Sequence, residues 1–410
     1  MELATFNPFG QDHKDLYRTL DWARAHQPIF FSEALNAWCI TRYDDVREIA
    51  GDPQRFSSES AIIRPTGLPP EAAKIVDFIW DNLPITLTDA PEHRFVRRVA
   101  HAGFGARATR QYEDGVRAII QNEVDARAIA SEFDVAEFAH TIALRSVLHV
   151  MGIDPKTTGK WSGWLADIHS IMFGSHTHTP DQLAASGNRC APAIDYLIDL
   201  ADRRIASPQN DLASAWGAVT IDGRKLSRSQ LANLLFSFIV AGWESTADAL
   251  SNIVHTLLHT GVWNDLAAGR LDSEAAVQEG LRFDSSVIGT FRTVVHKGTE
   301  FRGINFQQAD LMLLLYCSAN RDEAHYKAPQ TYDPYCPRSQ TAAMAFGYGI
   351  HNCAGAPLAK MELNFAIELL VQRFPNLELA SHLPPAPRQL SIFKGPQSLH
   401  VKTNLPGPAN

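Results

Sequence analysis

The chain has 410 residues, 45% hydrophobic and 20% charged, enough to bury a large core and outside the low-hydrophobicity, high-charge range of disordered chains. With 37 basic against 45 acidic residues its formal charge is −8, and basic residues gather only around Arg94 to Arg110, so bulk nucleic-acid binding is excluded. The five cysteines (Cys39, Cys190, Cys317, Cys336, Cys353) are too few and too dispersed for a disulfide framework or a paired-cysteine zinc site, so any cysteine-held metal rests on one sulfur.

In chain order, Asp15 to Ala25 carries apolar residues at helical spacing, and Ile29 to Phe31 with Trp38 to Thr41 reads as a short strand pair before helix resumes at Asp44. From Asp89 to about Arg204 the period is helical, broken at Pro155, Gly174 and Pro180. Trp216 to Lys225, with Asp222-Gly223 as a turn pair, predicts a small hairpin. Ser227 and Gln230 then form a capping box opening a helix that runs to about His259, a rod of roughly 48 Å at 1.5 Å per residue. A helix over Ser273 to Phe283, strands near Thr290 to His296 and Leu311 to Tyr316, and a helix from about Ala354 to Phe374 complete a mainly α chain with small β-sheets.

No apolar run reaches the ~18 residues of a membrane span; the best, Leu231 to Val240, contains Asn233 and Ser237. The first residues lack a basic and then apolar leader pattern, and no linker composition breaks the chain, so a single cytoplasmic domain over 1–410 is expected.

Residues 346 to 355 read FGYGIHNCAG, three glycines flanking one cysteine ahead of an apolar helix. Gly347 and Gly349 allow a tight turn at positive φ, Gly355 allows close approach of backbone to something flat, and a helix N-terminus after Cys353 stabilises a thiolate. Spacing alone is equally compatible with a buried structural cysteine. The segment, however, resembles the haem-binding pattern of the cytochromes P450 at every fixed position: Phe346, Gly347, Gly349, His351, Cys353 and Gly355.

Three further segments follow the order of that family. Glu279-Gly-Leu-Arg282 resembles its Glu-x-x-Arg, an i, i+3 pair expected to serve folding. Ala241-Gly-Trp-Glu-Ser-Thr246 resembles the oxygen-activation motif of its long helix. Asp89-Ala-Pro-Glu-His93-Arg-Phe-Val-Arg97 resembles the helix that holds haem propionates.

The resemblance implies a P450 fold with haem b between the long helix and the cysteine loop, and Cys353 as the iron ligand. His93, Arg97, Arg292 and His351 are then expected at the propionates, and Glu244, Ser245 and Thr246 at oxygen activation, Glu244 as the acid of a proton relay and Ser245 as its alcohol, in place of the more usual threonine. It also implies a hydrophobic substrate among Ile62, Ile63, Phe78, Phe173, Phe238, Ala241, Val287, Ile288, Ile392 and Phe393. No flavin- or nucleotide-binding pattern is present, so electrons from NAD(P)H are expected through ferredoxin reductase and a ferredoxin, docked on Arg94, Arg97, Arg98, Arg107 and Arg110.

LLYCSANRD (314–322) and FKGPQSLHV (393–401) resemble bacterial members that O-demethylate methoxy-aromatics; terpenoid or natural-product tailoring is the alternative. A haem protein without turnover, or a peroxygenase using peroxide directly, is disfavoured by the Glu244-Ser245 pair. Zinc-hydrolase and serine-hydrolase patterns (HExxH, GxSxG) are absent.

Overall fold

The computed structural model describes residues 2–9, 13–336, 342–388 and 392–404. Helix dominates, with small sheets, and the chain forms two compact units.

The first unit takes the chain up to Phe56, Asp114–Ala143 and everything from Glu244. Its main sheet sets Ile29–Ser32, Ala37–Ile40, Leu311–Leu314 and Thr290–Val294 side by side, with Trp38 opposite Met312 in a parallel pair and Phe291 opposite Leu313 in an antiparallel one. Alternation puts Ile40, Met312 and Leu314 into one core with Val46 and Ile49, and Cys39 and Leu313 into another with Leu16, Leu20 and Phe30. Both faces being covered explains the unbroken apolar run from Leu311 to Leu315.

In the same unit the helix Ser273–Phe283 begins where predicted, with the Asp272 carboxylate accepting from the Ala275 amide at 2.7 Å. Glu279 and Arg282 form a bidentate pair on it, at 2.8 and 2.6 Å. The same guanidinium donates to the carbonyls of Asn320, Pro329 and Thr331, each at 3.0 Å, and Glu279 also accepts from the Asp333 amide. The Asn320 side chain in turn accepts from the Met344 amide at 2.6 Å, which ties this clamp to the start of the cysteine loop.

The second unit comprises Ser57–Glu113 and Leu144–Trp243. It contains the helices Pro70–Asp81, Glu92–Phe104, Thr158–Met172 and Pro180–Ala206, the last opened by a Thr179/Gln182 capping box with proline at the first turn. The predicted hairpin over Trp216 to Lys225 is not formed. Leu212–Ala218 is a helix capped by Asp211, and only the Ile221–Arg224 bridge spans the Asp222-Gly223 turn. Tertiary packing decides this: the Trp216 indole donates to the Ala100 carbonyl at 3.2 Å and its ring lies 4.9 Å from that of Phe238.

The longest helix, Arg228–His259, has 32 residues. Its predicted capping box is present, Ser227 N–H donating to Gln230 Oε1 at 3.0 Å and Gln230 N–H to Ser227 Oγ at 3.2 Å.

Candidate active site

The loop around Cys353 is closed by its own backbone. Gly347 and Gly349 have φ of 67° and 76°, and the Cys353 amide donates to the Phe346 carbonyl at 2.8 Å. Asn352 Nδ2 donates to the carbonyls of Phe346 and Gly347 at 3.2 and 3.1 Å. Cys353 is left exposed, three residues before the helix Ala356–Arg373, with Gly355 at its N-cap. Sequence analysis passed over Asn352, although an amide next to the cysteine is a ready fastener for a loop without strand partners.

Gly349 also sits against the turn after Tyr43–Gly51: a Cβ there would come within 2.3 Å of the Ala50 carbonyl oxygen. Gly349→Ala is therefore expected to combine a left-handed backbone with a backbone clash and to cost about 1–3 kcal/mol. Chemical denaturation should show the loss.

Arg292, in the strand Thr290–Val294, is almost fully buried. It donates to the Phe291 carbonyl at 2.8 Å and hydrogen-bonds the Tyr316 hydroxyl, whose pKa burial raises while Arg292 pulls it the other way. Among the described residues no carboxylate pairs with it. A buried guanidinium in that condition calls for an anion. His351 lies half-buried in the turn Gly349–His351. Val287, Ile288, Ile392 and Phe393 come together where Val287 bridges Phe393 and the Ile288 amide donates to the Ile392 carbonyl at 2.9 Å.

On the long helix Glu244 and Thr246 are buried and Ser245 half-buried, with the Ser245 carbonyl accepting from Ser286 Oγ at 2.8 Å. Arg388 approaches Glu244 at 4.0 Å and Asp248 at 3.5 Å. Neither Arg388 nor His140 is marked by any pattern in the sequence. Asp248 was visible as a second acid one turn beyond Glu244, but its partner lies 140 residues away, where no local pattern points.

In the second unit, His93 is buried and Arg97 half-buried one turn apart on Glu92–Phe104. Phe78 and Phe173 are half-buried, Ile62 is half-buried and Ile63 exposed, and Ala241 is exposed on the long helix. Phe238 is packed in an aromatic cluster with Phe104 and Trp216.

Among the described residues no cluster of three or more His, Cys, Asp or Glu is arranged to hold a metal, and no helix is long and apolar enough to cross a membrane. One exposed sulfur ahead of a helix N-terminus, with a buried and carboxylate-free guanidinium in the same unit, is a donor set that fits a haem with thiolate ligation and anionic propionates. The family model of cytochrome P450 matches residues 273–402. Cytochrome P450 107B1 of Saccharopolyspora erythraea is 30% identical over 388 residues, 92% of each chain. The erythromycin C-12 hydroxylase of the same organism is 31% identical over 368 residues, 87% of each. The solved structure of cytochrome P450 CREJ in complex with (4-ethylphenyl) dihydrogen phosphate superposes with a TM-score of 0.87 at 25% identity, covering 98% of this chain and 100% of that one.

The chain belongs to the cytochrome P450 family. It is a haem-b monooxygenase that uses dioxygen, a small-molecule substrate and electrons from external redox partners.

Proposed function

We propose that this P450 oxidises a hydrophobic, small-to-medium substrate with Cys353 as axial ligand, Glu244 and Ser245 as proton relay with Thr246 beside them, and His93, Arg97, Arg292 and His351 as propionate partners. The observation that carries the reading is the exposed Cys353 sulfur in a loop fixed by Gly347, Gly349 and Asn352 ahead of a helix N-terminus. The test is the carbon-monoxide difference spectrum of the reduced protein. A far-red Soret band supports thiolate ligation, and a histidine-like band or none rejects it.

The haem, when bound, supplies oxygen activation and transfer. The chain supplies the ligand, the pose and the protons. Buried Glu244 holds a proton away from bulk water, and Ser245 Oγ accepts it and passes it inward, while the Ser286 hydroxyl bond fixes the turn that carries Ser245. Ser245→Ala is expected to lower product formation by about 100-fold, the low end of a positioned proton donor's contribution, with the lost electrons appearing as hydrogen peroxide. Peroxide and product measured per NAD(P)H consumed check this; unchanged coupling removes Ser245 from the relay.

For the substrate, two observations favour an aromatic bearing a methoxy or short alkyl group: the LLYCSANRD and FKGPQSLHV resemblance, and the ethylphenyl phosphate bound by CREJ. The hydroxylase relative acting on erythromycin supports natural-product tailoring as a second reading. Spin-state titration with methoxy-aromatics and with macrolides separates them. Electron delivery is assigned to a ferredoxin, fed by its reductase in the cytoplasm, because Arg94, Arg107 and Arg110 are exposed cations suited to an acidic partner. Arg98 is engaged with Asp222 at 2.6 Å.

A further inference from the structure

We propose that Asp248 is a positioning residue of the relay, competing with Glu244 for the Arg388 guanidinium and so setting whether the Glu244 carboxyl is held in an ion pair or released to pass a proton to Ser245. This rests on the reading of Glu244 as the relay acid.

The two carboxyls stand one turn apart on one face of the long helix, and one guanidinium nitrogen serves both. Arg388 Nη1 is 3.5 Å from Asp248 Oδ1 and 4.0 Å from Glu244 Oε1, each longer than a well-made charged hydrogen bond. The same nitrogen lies 2.8 Å from His140 Nε2. A guanidinium only donates, so Nε2 accepts and the imidazole proton sits on Nδ1, 2.7 Å from the Ala136 carbonyl. His140 is thereby a neutral anchor, and burial, followed by the charge of Arg388, lowers its pKa. Arg388 is tethered there between two acids, with a long hydrogen bond to Asp248 and a longer approach to Glu244.

Asp248 is fully buried, and its Oδ2 has no hydrogen-bond partner among the described residues. Backbone closes on it as well: a Cβ at Gly395 would come within 2.2 Å of Oδ1. Gly395 and Arg388 belong to paired segments, the Arg388 amide donating to the Gly395 carbonyl at 2.9 Å. The charged groups acting on Asp248 are Glu244 from its own helix and Arg388 and Lys394 from these segments; Lys394 is paired with Asp284, and Arg388 with His140. Burial outweighs the two cations and, helped by Glu244, pushes the Asp248 carboxyl up to about 7.

The sign follows. Below about 7 Asp248 is neutral and Arg388 faces Glu244 alone. Above it, ionised Asp248 draws the guanidinium away from Glu244. Only a proton moves, from Asp248 to water, and coupled product formation rises with pH.

The experiment uses the full-length, haem-loaded protein with saturating redox partner, measuring product and peroxide from about pH 6 to 8. Asp248→Asn cannot ionise, so coupling should stay at its low-pH value across the range, with more peroxide per product than wild type at the alkaline end. Arg388→Gln, alone or added to Asp248→Asn, should give high coupling independent of pH. The ferric protein should show an infrared carboxylic-acid band that disappears as pH rises through about 7, is absent from Asp248→Asn and persists in Glu244→Gln. Asp248→Asn indistinguishable from wild type while Glu244→Gln uncouples would overturn this proposal alone. Glu244→Gln with unchanged coupling overturns the relay reading and this proposal together, with the infrared titration of Asp248 untouched.

Discussion

Cys353→Ala is expected to abolish the long-wavelength carbon-monoxide band and monooxygenase turnover while leaving the secondary structure intact. No other sulfur can take its place. Cys39, Cys190 and Cys317 are buried; burial pushes the thiols of Cys190 and Cys317 up to about 12 and that of Cys39 higher still, so none is a thiolate at neutral pH. Cys336 is exposed, in a turn where its amide donates to the Asp333 carbonyl, and no glycine flanks it as the loop glycines flank Cys353. Among the described residues Cys353 alone combines exposure with a following helix N-terminus. Because that side chain is exposed, circular dichroism should not change. A retained thiolate band in the alanine variant would transfer the ligand role elsewhere.

Arg282→Ala is expected to cause the largest loss of stability, about 3–5 kcal/mol by the usual effect of removing one partner of a buried ion pair. The loss falls on more than the pair. Glu279 would remain largely buried without its cation, and the carbonyls of Asn320, Pro329 and Thr331 would each lose a charge-assisted donor. Arg282→Lys should recover only part of this, since an ammonium with three donors cannot satisfy a bidentate carboxylate and three carbonyls together. Equilibrium denaturation of the three proteins gives the ranking wild type, lysine, alanine; an alanine variant within about 1 kcal/mol of wild type, the level of a surface pair, would deny the clamp its structural role.

Legibility in the sequence follows how locally each feature is encoded. The helix Ser273–Phe283 was readable to the residue because its cap, Asp272, adjoins its first turn, and the long helix because Ser227 and Gln230 bond to each other. The turns of the cysteine loop were readable because positive φ at Gly347 and Gly349 restricts the residue type, whereas the role of Cys353 came from the family resemblance and not from spacing. Trp216 misled because its environment, Ala100 and Phe238, comes from other helices. The cluster of His140, Asp248 and Arg388 was invisible for the same reason, as its members come from three elements far apart in the chain.

The parallel pairing of Trp38 with Met312 spans 274 residues of chain. On a ribosome adding about 5–20 residues per second, the Ile29–Ser32/Ala37–Ile40 ribbon therefore exists for roughly 14 to 55 s before its neighbouring strand has been made. For that interval Ala37–Ile40 is an unpaired edge flanked by Phe31 and Trp38, a template for pairing with another nascent chain. Expression of this protein should accordingly be limited less by the stability of the finished fold than by how well that early ribbon is shielded during synthesis.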